Sequence, residues 1–117
     1  MSIRRIRVGP RMSQAVVHGE TVYLAGQVAV QAAGGNVTEQ TREILATIDA
    51  LLAEAGTDKT RLLSTTIYLA DMATFAEMNA VWETWVAPGA TPARATVEAR
   101  LAAPSYTVEI VCIAAKS

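Results

Sequence analysis

Pro92-Ala93-Arg94-Ala95-Thr96-Val97-Glu98-Ala99-Arg100, followed by Tyr106-Thr107-Val108-Glu109-Ile110-Val111-Cys112-Ile113-Ala114, decides how this chain folds. Arg94 to Ala99 and Tyr106 to Ala114 read as two strands, with Pro104 in the connection between them. Side chains alternate along a strand. Arg94, Thr96, Glu98 and Arg100 therefore share one face of the first, and Thr107, Glu109, Val111 and Ile113 share one face of the second. Ile110 to Ala114 is apolar on both faces, so both faces of its sheet are expected to be covered. Arg94 opens one of these strands and Glu109 sits inside the other. Charges are rarely held in such strands unless they are paired or used.

Reading outward, Pro88-Gly89 stops a helix whose apolar stripe is Phe75, Met78, Val81, Trp82 and Trp85. Thr74 with Glu77 makes a capping box at its start. Leu62 to Leu69 is rich in β-branched residues and reads as a central strand. An earlier helix spans about residues 38–55. Ile44, Leu45, Ile48, Leu51 and Leu52 recur at helical spacing, Asn36 with Glu39 (or Thr38 alone) caps its start, and Gly56 marks its end. Ala15 to His18 and Thr21 to Ala25 flank Gly19-Glu20 as a hairpin, and Gly26 ends its second strand. Ile3 to Val8 alternates apolar residues with arginine. The order is β-β-β-α-β-α-β-β: an α+β fold, one sheet with both helices on one face. The face left bare calls for cover, and another copy of the chain is the expected cover.

The 117 residues are expected to form one domain, 1–117, with a real core. Ten basic residues against eleven acidic ones leave a net charge of −1, which calls for neither nucleic acid nor an anionic membrane as partner. Arg4, Arg5, Arg7 and Arg11 are read as strand-edge charge or an oligomer contact. With one cysteine and one histidine, an intrachain disulfide, a thiolate zinc cluster and a multi-histidine metal site are all excluded; with His18 the only histidine and expected at a turn, no serine-histidine or cysteine-histidine partnership is expected, which argues against triad-type acyl transfer. The N-terminus lacks the apolar run of a signal peptide, and no stretch has the length of a membrane span, so a cytoplasmic setting is expected.

Arg94 has two readings. It pairs with Glu98 or Glu109 as a structural ion pair, or its planar fork grips a substrate carboxylate while Glu109 steers a water. Glu98 and Arg100 read as an edge or intersubunit pair. His18, beside a hairpin turn, is expected to face solvent. Cys112 is expected to be a small core residue with an unperturbed, poorly reactive thiol. Asn79 is read as bonding to backbone, and Met78, Trp82 and Trp85 as core. Gly34-Gly35 is no phosphate loop.

Pro92-Ala93-Arg94, then Val97, then Val108-Glu109-Ile110 resemble the reactive intermediate deaminases, the RidA or YjgF/YER057c/UK114 family, over nearly the whole chain. Gly26-Gln27, Ala55-Gly56, Thr65 to Asp71 and Phe75-Ala76-Glu77-Met78-Asn79 support the likeness, while the run through Trp82 and Trp85 looks like a side branch. The resemblance implies a chorismate-mutase-like fold assembled as a homotrimer, with a central barrel, helices outside and clefts between subunits. It implies that Arg94 binds the substrate carboxylate and Glu109 positions water. The reaction would be hydrolysis of enamines and imines such as 2-aminoacrylate and 2-iminobutanoate to 2-keto acids and ammonia, with no cofactor and no metal. Met12, Ala25, Gly26 and Thr96 would line the pocket. Met12 stands where the best-known members carry tyrosine, Ala25 where they carry serine and Thr96 where many carry cysteine, so a larger imino acid is expected. The alternatives are a carboxylate-binding trimer without turnover and an RNA-cleaving translation inhibitor, the latter opposed by the near-zero charge.

Overall fold

Period-two alternation sets a mixed sheet of seven strands, seen in a computed structural model that describes residues 2–116. The strands are β1 (Ile3–Val8), β2 (Ser13–His18), β3 (Thr21–Leu24), β4 (Gln27–Val28), β5 (Leu62–Leu69), β6 (Ala93–Glu98) and β7 (Val108–Ala115). The helices are α1 (Val37–Glu54) and α2 (Phe75–Trp85). The strand order is β1-β2-β3-β7-β5-β6, with β4 also pairing to β7. Every pairing is antiparallel except β5–β6, which is parallel and joined through α2 as the expected crossover.

β7 is the central strand. Its Val108, Ile110, Cys112 and Ala114 are buried, and so are their partners on β5, Leu69, Ile67, Thr65 and Leu62. These side chains meet Ile44, Leu45, Ile48, Leu51 and Leu52 of α1 and Met78, Val81 and Trp82 of α2 in one core. Both helices thus cover the same face, as the alternation required. The opposite face carries Tyr23, Thr66, Tyr68, Glu109, Val111 and Ile113, all partly or wholly exposed, so no part of the described chain covers it.

The helix starts show where local reading held and where it failed. Asn36 Oδ1 accepts from the Glu39 amide at 2.9 Å, which caps α1. Gly56, at φ +84°, closes its far end: the Gly56 and Thr57 amides donate to Ala53 and Leu52 carbonyls. The expected capping box at Thr74 does not form. Thr74 has φ −90° and ψ 8°, outside the extended region a cap needs, and its hydroxyl donates to the Asp71 carbonyl at 2.7 Å. Asp71 caps a 3₁₀ turn at Met72–Thr74 instead, and Glu77 crosses to α1, accepting from the amide and hydroxyl of Thr38, both at 2.9 Å. The two helix starts are thereby tied together.

Gln40 is a buried staple. Its Nε2 donates to the Gly35 and Ser105 carbonyls at 3.0 and 2.9 Å, and its Oε1 accepts from the Thr107 amide at 2.9 Å. It fixes the loop between β6 and β7 to the start of α1. At the other end of α1, Arg4 and Arg7 reach Glu54, Arg7 as an ion pair through a backbone at φ 51°. This bears out the reading of Arg4 and Arg7 as edge charge. His18 is exposed, as expected. Cys112 is buried, but its thiol is not unperturbed. Burial pushes it up to about 11, against a smaller lowering by the Thr65 hydroxyl 3.4 Å away.

Candidate functional site

Arg94 pairs in register with Thr65, whose side chain is buried toward the helices, so Arg94 points to the helix side of the sheet. Its Nη1 donates to Asn79 Oδ1 at 2.7 Å. Its guanidinium carbon lies 5.8 Å from the Phe75 ring centroid and 5.5 Å from that of Trp82. Arg94 pairs with neither Glu98 nor Glu109, which corrects the ion-pair reading. Glu98 accepts instead from the Met72 amide at 2.9 Å, and among the described residues of one chain Glu98 and Arg100 form no ion pair with each other. Asn79 is also corrected: its partner is a side chain, not backbone. Phe75 is exposed and Trp85 half-buried, so only the middle of the expected α2 stripe is core. Trp85 Nε1 donates to Asp49 at 2.9 Å, and its ring packs on Trp82 at 5.4 Å between centroids.

Glu109 sits on the other face. It pairs with Tyr68 of β5 and Val28 of β4, while its buried neighbour Ile110 faces the helices. A Cβ placed on Gly26 would lie 2.3 Å from Glu109 Oε2, so the carboxylate rests against the glycine's open side. Gln27, next in sequence, is buried and donates to Gln14 Oε1 at 2.9 Å and to the Ala25 carbonyl at 3.0 Å, which fixes the backbone beneath Glu109. Ala25 in turn donates its amide to the Gln14 carbonyl.

The sequence-derived residues therefore fall into two groups. Gly26 and Glu109 come together on the uncovered face, with Ala25 preceding Gly26 in the chain. Arg94 and Thr96 lie on the helix side of β6, an edge strand paired only with β5. The Thr96 hydroxyl is buried without a partner. Met12 is exposed beside the turn between β1 and β2, where its carbonyl accepts from the Gly9 amide. Within one chain β5 separates β6 from β7, and the sheet itself stands between Arg94 and Glu109. A concavity of about 710 Å³, formed by the loop after β6 and lined by Glu98, Arg100, Leu101, Pro104 and Tyr106, contains neither residue. No group of three metal-ligating side chains occurs among the described residues.

Sequence reasoning missed the contact of Arg94 with α2. The signal was present: Phe75, Asn79 and Trp82 stand at i, i+4 and i+7, one helix face. What the sequence did not give was that β6 lies under that face.

These features define a class: an α+β chain with two helices on one face of a mixed sheet, an uncovered opposite face and an edge strand bearing an arginine. The chain belongs to the Endoribonuclease L-PSP family, also known as the YjgF/RidA family, whose model matches residues 3–116. A RutC family protein of Haemophilus influenzae is 46% identical over 114 residues, covering 97% of this chain and 98% of that protein. RutC family protein YoaB of Escherichia coli is 43% identical over 115 residues, covering 98% of this chain and 99% of its own. The crystal structure of a YjgF family member from Neisseria meningitidis superposes with a TM-score of 0.96 at 49% identity, covering 100% of this chain and 97% of that one. No helix among the described residues is long and apolar enough to cross a membrane.

Proposed function

We propose that the protein is a hydrolytic deaminase of enamine and imine acids, releasing 2-keto acids and ammonia, and that its site forms between copies of the chain in a homotrimer. The observation that carries this reading is the placement of the two charges. Glu109 holds a carboxylate over Gly26 on the uncovered face. Arg94 holds a guanidinium at the sheet edge, where it has no carboxylate partner among the described residues. Packing the uncovered face of one copy against the β6 edge of the next brings an Arg94 to a Glu109.

The chemistry follows from the groups. Arg94 fixes the substrate carboxylate and with it the adjacent C2 carbon. Glu109 accepts a proton from water as the water oxygen bonds to C2 of the iminium, giving a carbinolamine. Glu109 passes that proton to the amino group and takes up the hydroxyl proton as the C–N bond breaks and the C=O forms; the ammonia released carries that last proton away as ammonium. The reaction needs no cofactor. Met12 and Ala25 make the wall less polar, which favours a larger imino acid over the three-carbon one, while Thr96 keeps a hydroxyl on it.

A second reading has one observation in its favour: Arg94 is positioned within a single chain by Asn79, Phe75 and Trp82, whereas Glu109 is remote from it. On that reading the protein binds a carboxylate metabolite and turns nothing over. The test generates imines in the assay with an amino-acid oxidase and follows ammonia and keto acid release. Acceleration that disappears in Arg94→Ala and in Glu109→Gln supports the deaminase. Carboxylate binding that depends on Arg94 without any acceleration supports the binder.

A further inference from the structure

We infer that the Phe75–Asn79–Trp82 face of α2 is a clamp that positions Arg94, turning the Nε/Nη2 edge of its guanidinium toward a carboxylate ligand. The inference rests on the proposed role of Arg94 in gripping that carboxylate. A guanidinium has two edges that offer a pair of parallel donors to a carboxylate beyond the one shared with its own stem. Asn79 Oδ1 occupies Nη1 at 2.7 Å. Of the two-donor edges, the one made by Nε and Nη2 remains whole, and neither nitrogen has a partner among the described residues.

The aromatic rings fix what the hydrogen bond leaves loose. A single bond to Nη1 allows the guanidinium to swing about the Nη1–Oδ1 axis. The Phe75 and Trp82 rings, at 5.8 and 5.5 Å, stand within the range in which a cation is held by a ring. Three contacts from one helix face therefore act on a side chain that is otherwise among the most mobile. Trp82 is itself locked in the core, against Trp85 at 5.4 Å, so the clamp is anchored to the rigid part of the fold. The buried, unpartnered Thr96 hydroxyl lies two residues on, on the same face of β6.

Holding the side chain before the ligand arrives removes an ordering cost that otherwise weakens binding by about 3- to 10-fold per long side chain. Asn79, Phe75 and Trp82 are positioning residues: they act through Arg94 and not on the ligand.

Two measurements test this. The first uses no ligand: the order parameter of the Arg94 Nε–H bond by ¹⁵N relaxation. The wild type is expected near the rigid value of about 0.85, and Asn79→Ala below about 0.6. Asn79→Asp, which keeps the acceptor, restores rigidity. Phe75→Leu, at a partly exposed position, lowers the value without disturbing the core, which guards against a Trp82 variant that fails to fold. The second is the Kd of 2-ketobutanoate, an unreactive keto acid, by calorimetry. Asn79→Ala and Phe75→Leu are each expected to weaken it about 3- to 10-fold, with Arg94→Ala abolishing it. A mobile Arg94 in the wild type, or unchanged rigidity and affinity in both variants, overturns the clamp. Keto acid binding that survives in Arg94→Ala also overturns it. Normal clamp behaviour with no imine hydrolysis overturns the deaminase reading alone.

Discussion

Replacing Gln40 with methionine removes a polar staple while keeping the length and shape of a side chain that is 0% exposed. Three hydrogen bonds are lost, to Gly35, Ser105 and Thr107. The Ser105 carbonyl keeps the Gly34 amide at 2.9 Å, so the groups left bare are the Gly35 carbonyl and the Thr107 amide. At about 1 kcal/mol for each bond lost, and more for each buried group orphaned, the change should cost about 2–4 kcal/mol. For a chain of this size that lowers the melting temperature by about 8–16 °C. Urea unfolding should move to lower midpoint with an unchanged slope, because the exposed surface on unfolding is the same. The Thr107 amide should also exchange faster than the centre of β7. A loss under about 0.5 kcal/mol with Thr107 still protected would refute the claim that Gln40 fixes the loop after β6.

Gly26→Ala puts a methyl group 2.3 Å from Glu109 Oε2, and Gly26 is not at positive φ, so the backbone tolerates the change while the carboxylate must move. Imine hydrolysis should fall by about 10- to 100-fold with little change in melting temperature. The Cys112 thiol, raised to about 11 by burial, favours the folded state while neutral. Its contribution is complete below the unfolded thiol's pKa and is lost as pH rises toward 11, so stability should fall by about 2–3 kcal/mol over that window, less steeply in Cys112→Ala. Asn36→Ala removes the α1 cap and should cost about 1 kcal/mol in denaturant unfolding.

Local chemistry was readable in the sequence. The α1 stripe, the Asn36 cap and the Gly56 stop follow from spacing within one turn, and each stands where those residues put it. The parallel crossover through α2 was also legible, because a strand, a helix and a strand in that order have few ways to pack. β4 was not: two residues pairing to β7 carry no period. Nor was the lateral order. β7 inserts between β3 and β5, a choice made by long-range pairing and not by any local pattern, and the registers of β6 and β7 against β5 put Arg94 and Glu109 on opposite faces. Both charges were legible as candidate site residues from their apolar surroundings, while the partners that hold them, Asn79 and Gly26, depend on contacts across 15 and 83 residues.

The separation of Arg94 from Glu109 also supplies the most direct test of the proposed site. Arg94→Ala and Glu109→Ala chains, each inactive alone, are unfolded together, refolded as a mixture and assayed for imine hydrolysis. A site that takes its arginine from one copy and its glutamate from the next is rebuilt in mixed trimers, and about a quarter of wild-type turnover should return. A mixture that assembles normally and stays inactive would contradict a site shared between copies.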